Sequence, residues 1–375
     1  MIKSKDLQVM IFEITNEKFE CVGELNAVEG LIWREAFAGY DSFELFVPLN
    51  VDNFKLLKLG NVVWVKNRLS AGFVEIINIQ NKNGKDTISV KGRTLEKLML
   101  DRIVVGTVVT HGFTALENAY TIADKNIFTP DDYNRTIPYM ALGLGEDNTQ
   151  IIDTYQKTGG TVYDAVYELA NAFDFGFEIA FLPQMQELIF TLIQTRDCTV
   201  NQTMNNQIVF STEFNNLIQS TIYQNNTDDK NTAYVYGEDK GADRKFIIHQ
   251  NDSSLTMLDR KELYIDARDL QSTYFEDNVE HTLTPEQYEK LLNQRAVDKL
   301  TQSVPVCDFD AQIYEDKLNG FVYGADFYLG DYITIEFKEL NLRGKAFISA
   351  VEEDYDENGI DRFLTLKFSD LKNIN

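Results

Sequence analysis

The two ends of the chain carry the same succession of strand and turn signals. Near the start, a Leu-Gly pair at 59–60 leads into a strand, a link, a long strand, an Asn-Gly turn and another strand. Near the end, the Leu-Gly pair at 329–330 leads into the same succession, with the Asn-Gly turn at 358–359. This order indicates an internal duplication, because repeated structural units give the same succession of elements, and the separations differ by only a few residues. A chance likeness between two β-rich stretches of low identity is the alternative.

The N-terminal region is predicted to consist mainly of strands. The segments DSFELFVPL (41–49) and NVVWVKN (61–67) are rich in β-branched and aromatic residues, which favour strands. GFVEIINIQNKNGKDTISVKG (72–92) predicts a hairpin, because its central Asn-Gly pair readily adopts the positive φ angles of a tight turn.

Three helix starts are predicted between this region and the middle of the chain. Thr94 is expected to cap a short helix, TLEKLMLDRIV. Thr114 and Glu117 have the spacing of a capping box, and Thr161 and Asp164 repeat that spacing before an apolar helical face. With the strand pair predicted in FGFEIAFLPQMQELIFTLI, these signals indicate an α/β insertion.

A fourth helix start follows further strands and is the clearest in the chain. Thr284 is in the capping position, Pro285 suits the first helical residue, and Gln287 completes a capping box. The helix then carries charges of both signs, namely Glu286, Glu289, Lys290, Arg295, Asp298 and Lys299. We interpret them as a solvated face, with a seam between subunits as the alternative.

Asp354, Asp356 and Asn358 are spaced like the start of a calcium-binding loop. Such a loop needs a bidentate Glu at its twelfth position, which is here Thr365, and helices on both sides. The residues after Gly359 alternate between apolar and polar types, which is typical of a strand. We therefore predict an acidic hairpin tip and no metal site.

The sequence shows no catalytic or metal-binding motif. His111, His249 and His281 are far apart in sequence and have no partner at metal-ligand spacing. The three cysteines, Cys21, Cys198 and Cys307, form neither a metal-ligand pattern nor a disulfide framework. We expect no cofactor.

Two weaker patterns also fail to indicate a phosphate-binding or catalytic site. ALGLGEDNT (141–149) contains Gly-x-Gly but lacks the rest of a phosphate-binding loop. The neighbouring acids Glu352 and Glu353 could serve glycoside hydrolysis in principle, yet such pairs arise by chance among 59 acidic residues. We predict that the protein is not an enzyme.

Charge and hydropathy restrict the partners. An excess of 59 acidic over 35 basic residues gives a net charge of −24, which opposes stable binding to nucleic acid. The dispersed acids indicate either an ordinary solvated surface or a surface over which nucleic acid slides without binding. No signal peptide and no apolar run of membrane-spanning length is present, so we expect a soluble protein made in the cytoplasm.

Eight segments of the chain form an ordered set, namely LIWREAFAGYDSFELFVP (31–48), ISVKGRTLEKLMLDRIV (88–104), NRTIPYMALG (134–143), IVFSTEFNNL (208–217), NTAYVYGEDKGADRKF (231–246), RKELYIDARDL (260–270), YEKLLNQRAVDKL (288–300) and YLGDYITI (328–335). Taken in this order, they resemble the baseplate hub or tail-associated proteins at the tip of long-tailed bacteriophages, and the length of the chain suits such proteins from phages of lactic-acid bacteria. One departure lies at 237–241, where GEDKG stands in place of the family's usual Gly-Glu-Gly-Glu-Gly.

The resemblance implies an α+β, mostly β fold with two tube-like β-barrel modules, an α/β insertion and a connecting helix. The implied domains are a first barrel at 1–102 completed by strands from about 208–236, the insertion at 103–207, a connecting region at 237–300 and a second barrel at 301–375. Many members of the family continue into hydrolase or fibre domains. Because the last predicted strand lies near Asn375, we expect a hub without a lytic domain.

The resemblance also implies a function. The expected protein is a homotrimeric hub at the tail tip of the virion that joins and closes the tail tube and lets DNA pass at infection. The implied partners are the distal tail protein ring, the tape measure protein, receptor-binding or baseplate proteins for host attachment, and DNA in transit. A peptidoglycan hydrolase with an unrecognised acidic site and a host-carbohydrate-binding module are the alternatives.

Overall fold

The computed structural model describes residues 12–373, apart from 17, 26, 67, 83–84, 144, 146–148, 240, 242–243, 277–278, 305, 314–319 and 357–358. Strands contain the largest share of the described residues, and helices contain a smaller one. The α+β, mostly β fold class predicted from the sequence is therefore confirmed.

The strands and helices are numbered here in chain order. The strands are β1 (Phe12–Thr15), β2 (Cys21–Glu24), β3 (Gly30–Ala36), β4 (Ser42–Pro48), β5 (Val62–Val65), β6 (Ala71–Lys82), β7 (Lys85–Thr94), β8 (Thr107–Thr114), β9 (Met140–Leu142), β10 (Ile151–Thr158), β11 (Phe175–Leu182), β12 (Glu187–Gln194), β13 (Arg196–Asp197), β14 (Val209–Ser211), β15 (Leu217–Asn225), β16 (Thr232–Tyr236), β17 (Phe246–Gln250), β18 (Glu262–Asp266), β19 (Thr273–Glu276), β20 (Val279–Thr282), β21 (Val306–Ile313), β22 (Asp331–Phe337), β23 (Leu342–Asp356) and β24 (Gly359–Asn373). The α-helices are α1 (Val51–Leu56), α2 (Ala115–Ala123), α3 (Val162–Ala172) and α4 (Pro285–Thr301). Short 3-10 helices at Leu95–Asp101, Tyr133–Arg135, Met257–Asp259 and Lys338–Leu340, and a π-helical turn at Asp124–Phe128, complete the helical part of the described chain.

One large sheet joins strands from both ends of the chain. Its order is β15-β21-β24-β23-β3-β4-β7-β6-β5-β1-β2, and β22 pairs with β23 beside this path. The antiparallel pairing of β23 with β3 joins the C-terminal strands to the N-terminal strands. The two ends of the chain therefore share one hydrogen-bonded sheet.

The predicted repeat is visible in the strand order. In the N-terminal module the order β3-β4-β7-β6-β5 is antiparallel at every step. In the C-terminal module the order β15-β21-β24-β23-β22 is also antiparallel at every step. In both modules the fourth and third strands form the long hairpin, and the fifth strand precedes them in sequence. The five-strand topology is the same in both modules, so the predicted repeat of strand order is confirmed, while its origin in a duplication stays a prediction.

The turns before the two hairpins match in detail. Gly60 has φ 86° and Gly330 has φ 91°, so both lie in the left-handed region that favours glycine. The N–H of Gly60 donates to the carbonyl of Val74 at 2.9 Å, and the N–H of Gly330 donates to the carbonyl of Ile348 at 3.0 Å. In each hairpin the pairing register shifts directly after the accepting residue. The Leu-Gly signal thus marks the same turn in both modules.

Each module has its own apolar core, built from alternate strand positions. In β4, Phe43, Leu45 and Val47 are buried while the residues between them are not, because successive strand residues point to opposite faces. In β22, Ile333 and Ile335 are buried in the core of the C-terminal module. Burying each such side chain stabilises the fold by about 1.5–3 kcal/mol.

One part of the predicted domain division is wrong. The strands between 208 and 225 do not complete the N-terminal module, because β14 pairs with β22 and β15 pairs with β21. Ile208 and Phe210 lie in the core of the C-terminal module beside Ile333. Strand alternation identifies a buried face but not the partner strand, which explains the error. The other domain boundaries stay predictions.

The segment between the two modules contains the predicted helices and strand pair. The Thr114–Glu117 capping box is present in full at α2, and the Thr161 hydroxyl accepts from the N–H of Asp164 at α3. The strands β11 and β12 form an antiparallel hairpin. Their core includes Val62 and Trp64 of β5, which face away from the core of the first module, and Trp64 packs edge-on against Phe181.

The predicted short helix after Thr94 is present, but its predicted cap is wrong. The chain forms a 3-10 helix, Leu95–Asp101, and the side chain of Thr94 makes no capping hydrogen bond. The Thr94 hydroxyl instead accepts from the N–H of Asp41 across 53 residues. Leu95 and Met99 are buried and Leu98 is partly buried, so tertiary contacts set the helix type while the apolar pattern set the buried face.

A smaller unit is built from α4 and the sheet β17-β16-β18. The Thr284–Gln287 capping box and Pro285 at the helix start are confirmed. The interpretation of the α4 charges as a solvated face is partly wrong. Arg295 pairs with Asp269 at 2.7 Å, and Lys299 pairs with Glu168 of α3 at 3.1 Å.

The acidic hairpin tip lies between two long antiparallel strands, β23 and β24. The strand prediction after Gly359 is therefore confirmed, and helices do not flank this segment. Asn358 lies outside the described residues, as do the Asn-Gly pair at 83–84 and part of ALGLGEDNT.

Within the described chain, none of the helices combines the length and apolar character needed to span a membrane.

Candidate functional site

A buried carboxylate joins the two modules at the strand pair β23–β3. Glu353 lies opposite Trp33 in this pair and is only 4% exposed. Its Oε1 accepts from Nε of Arg362 at 2.6 Å, and its Oε2 pairs with the guanidinium of Arg68. Arg362 belongs to β24 of the C-terminal module, and Arg68 lies in the loop after β5 of the N-terminal module. The carboxylate of Glu353 therefore connects the β23–β24 hairpin to that loop.

A cavity of about 370 Å³ lies beside this ion pair. Its charged lining consists of four carboxyl groups and two guanidinium groups, namely Glu35, Arg68, Glu96, Glu178, Glu353 and Arg362. These side chains come from both modules and from β11 of the intervening segment. We call this set the junction cluster, since it lies where the three parts of the chain meet.

Burial controls the ionisation of the junction cluster. It raises the pKa of Glu96 to about 7, against hydrogen bonds from Thr94 and from the N–H of Ile179 at 2.7 Å. Burial also raises the pKa of Glu178 and of Glu353, although Arg68 opposes the rise at Glu353. Burial lowers the pKa of Arg362 to about 10, and the nearby Arg68 adds to that effect. These directions follow from the cost of removing a charge from water.

We expect the neutral carboxyl of Glu96 to make stability depend on pH. Its pKa is about 7 in the folded chain against 4.5 as the reference value, so the folded state holds the proton more tightly. Its contribution is complete below about pH 4.5 and is lost as the pH rises through about 7. Relative to Glu96→Gln, which stays neutral, the wild type should lose about 3 kcal/mol between about pH 4 and pH 8.

Urea unfolding of both proteins across this pH range measures the difference. The comparison cancels the other titrating groups, because Glu178, Glu353 and the rest are present in both chains. Parallel stability curves for wild type and variant would contradict a buried neutral Glu96.

The arrangement does not provide a free catalytic carboxylate at Glu353. A glycoside hydrolase needs one carboxyl group to give a proton and a second to act as base or nucleophile. Glu353 is held by two guanidinium groups. Glu352, its neighbour in sequence, points to the other face of β23, as alternation in a strand requires. The pair considered in the sequence is therefore separated in the fold.

The structure brings two of the three histidines together. His111 Nε2 lies 2.9 Å from the hydroxyl of Tyr274, and His281 stacks on the ring of Tyr274 with centroids 5.5 Å apart. His249 lies elsewhere and contacts Asn293. Each described histidine is thus engaged with a polar or aromatic neighbour of the fold.

The cysteines and metal ligands show no assembled site in the part of the chain that is described. Cys21 is exposed and Cys198 is buried, and both are free thiols. Cys307 lies on β21. Within the same described ranges, no group of three or more His, Cys, Asp or Glu side chains is arranged to hold a metal ion.

Sequence reasoning missed the junction cluster. Arg68, Glu96 and Arg362 are ordinary charged residues in sequence, and nothing in their spacing connects them. Glu178 carries a weak signal, because it is the one charge in the apolar strand FGFEIAFL. A single charge in an otherwise buried strand indicates a polar partner or cavity, since an unpaired buried charge is costly.

Two solved tail proteins share this fold. The tail protein from Neisseria meningitidis MC58 matches with a TM-score of 0.58 and 13% identity, covering 96% of this chain and 96% of that chain. The 43 kDa tail protein of prophage MuSo2 from Shewanella oneidensis matches with a TM-score of 0.54 and 11% identity, covering 95% of this chain and 97% of that chain. The architecture is thus that of a phage-type tail protein.

The chain belongs to the Siphovirus ReqiPepy6 Gp37-like protein family, whose model matches residues 11–367. No curated protein sequence is significantly similar to it. The resemblance to siphophage tail-associated proteins inferred from the eight segments is therefore confirmed. The family is thus one of siphovirus proteins, and the fold is one that this chain shares with solved tail proteins.

Proposed function

We propose that the protein is the structural hub at the distal end of a siphophage tail, where three copies join and close the tail tube. The observation that carries this proposal is the repeat of the five-strand module, with the same order and the same glycine turn in both copies. Three chains would present six similar modules. A threefold assembly could then match a sixfold tube, and each module would meet a like neighbour in a closed ring.

The junction cluster supports this role by fixing the two modules relative to each other. Six modules complete a ring only if the two in each chain keep a constant angle. The shared sheet and the buried pairs of Glu353 with Arg68 and Arg362 provide that constraint. We assign the cluster a positioning role and no catalytic one.

The net charge of −24 supports passage of DNA through such a ring. A negatively charged wall offers phosphates no counterion release and therefore no net binding. In this proposal the ring contacts the distal tail protein ring on one side, the tape measure protein inside the tube, and receptor-binding or baseplate proteins on the other side. Host attachment would open the ring so that DNA is released.

Electron cryo-microscopy of intact virions tests the proposal. We expect three copies at the tail tip, centred on the tube axis, with six strand modules in one ring and a closed lumen before host contact. A position away from the axis, or a copy number other than three, would contradict the hub assignment. A zymogram of the purified chain on peptidoglycan should show no clearing, whereas clearing would favour the hydrolase alternative.

A further inference from the structure

The sheet β17-β16-β18 has one buried and one uncovered face. Ala233, Val235 and Ile265 point towards α4 and are buried. The alternate residues point the other way, because successive strand residues face opposite sides. We call this opposite surface the aromatic face, and its apolar members are Tyr234, Tyr236, Phe246, Ile248 and Tyr264.

The aromatic face exposes large apolar side chains that touch one another. Phe246 is 54% exposed, Ile248 is 50% exposed and Tyr264 is 62% exposed. The ring of Tyr236 lies between them, with centroids 5.4 Å from Phe246 and 5.2 Å from Tyr264. A contiguous exposed apolar patch of this kind marks a surface that binds another molecule.

Arginine residues border the aromatic face and are paired with acids. Arg244 lies over the ring of Tyr236 at 5.5 Å and donates to Asp266 at 2.8 Å. Arg260 lies over the ring of Tyr234 at 5.6 Å and donates to Glu262 at 2.8 Å. Arg268 also pairs with Asp266, so three guanidinium groups meet two carboxylates.

The local charge at the border of the aromatic face differs in sign from the net charge of the whole chain. Two copies that each carry −24 repel one another over most of their surfaces. Contact between copies is favoured where the local charge is not negative and where donors and acceptors are both present. The aromatic face meets both conditions and combines tyrosine with arginine, the residue types enriched at the energetic centres of protein interfaces.

We propose that the aromatic face binds a second copy of this chain. The inference rests on the proposed trimer and names the surface that would hold it together. A protein partner fits better than a glycan, because sugar rings stack on open aromatic faces. Here guanidinium groups already cover one side of the rings of Tyr234 and Tyr236.

Light scattering after size exclusion tests the assignment on the full chain. The test variant is Phe246→Ser/Tyr264→Ser, and the control is Tyr133→Ser, which removes a tyrosine that is 84% exposed elsewhere. We expect wild type and control to form trimers at the same concentration. The test variant should need at least tenfold more protein to associate, with an unchanged thermal midpoint by circular dichroism at a concentration where both proteins are monomeric.

The outcomes separate this assignment from the hub proposal. A trimer that forms equally well in the test variant would overturn the assignment and leave the hub proposal intact. A wild type that stays monomeric up to millimolar concentration would count against both. Binding of monomers to purified cell-wall polysaccharide, lost in the test variant, would reassign the aromatic face to a glycan.

A second measurement needs no substitution. Hydrogen exchange of wild-type protein should slow in β17 and β18 when the concentration is raised from the monomeric to the associated range. Exchange that slows elsewhere in the chain while these strands stay unchanged would overturn the assignment.

Discussion

We expect Glu353→Gln to lower the free energy of unfolding by about 3–5 kcal/mol, because it leaves buried charges without their partner. The carboxylate is 4% exposed and is shared by Arg68 and Arg362. Glutamine has nearly the same volume, but its single oxygen carries no charge for two guanidinium groups. Denaturant unfolding at neutral pH measures the loss, and a folded far-UV spectrum verifies that the variant keeps the fold.

The matched control is Glu213→Gln, which removes a carboxylate paired with Lys338 at the surface. Both of those side chains are about half exposed or more. A pair in water contributes about 0–1 kcal/mol, so this variant should be close to wild type. Equal losses in the two variants would show that Glu353 does not stabilise the contact between the modules beyond an ordinary surface pair.

The second large effect is expected at the glycine turn that occurs in both modules. Gly330→Ala and Gly60→Ala place the same methyl group at the same positive φ, which costs about 1–2 kcal/mol in each. At Gly60 the new Cβ meets nothing within 4 Å. At Gly330 it comes within 2.1 Å of the ring of Phe37, so overpacking should add about 1–3 kcal/mol.

Phe37 cannot easily move to make room. Its ring and carbonyl also lie directly against Gly176 of β11, and its N–H donates to the carbonyl of Ser349 at 2.9 Å. The ring is 4% exposed and packs edge-on against Phe347. Phe37 is therefore held between the first module, the second module and the segment that separates them.

Unfolding of Gly330→Ala, Gly60→Ala and wild type in parallel gives the comparison. If the new methyl group overlaps the ring of Phe37, adding Phe37→Leu to Gly330→Ala should recover part of the lost free energy of unfolding. The reason is that substitutions of residues in contact are not additive. Similar losses at Gly60 and Gly330, or strict additivity with Phe37→Leu, would rule out the packing explanation.

The departure at 237–241 from the pattern given by the resemblance places an aspartate in a turn. Asp239 is the third residue of GEDKG and adopts φ 76°, in the left-handed region that favours glycine. Asp tolerates this conformation better than most residues. The resemblance implies glycine at this position, and the backbone of this chain has a conformation that glycine also adopts readily.

Much of the local structure could be predicted from the sequence. The capping boxes at Thr114 and Thr284, the strands on either side of the acidic tip and the repeated Leu-Gly turn all depend on neighbours in sequence. Thr94 shows the limit of this reasoning. Its hydroxyl accepts a hydrogen bond from the N–H of Asp41, a residue distant in sequence, and the predicted helix cap does not form.

The amino-acid sequence by itself determined the alternating strand faces, the helix starts, the repeated module and the family, because these follow from residue types at short or regular spacing. Only the tertiary structure decided that β14 and β15 join the C-terminal strands, that Glu353 meets Arg68 and Arg362, and that α4 uses its charges to contact α3. The physical reason is that a strand edge or a charge can be satisfied by many partners. Which one it meets depends on how the whole chain packs.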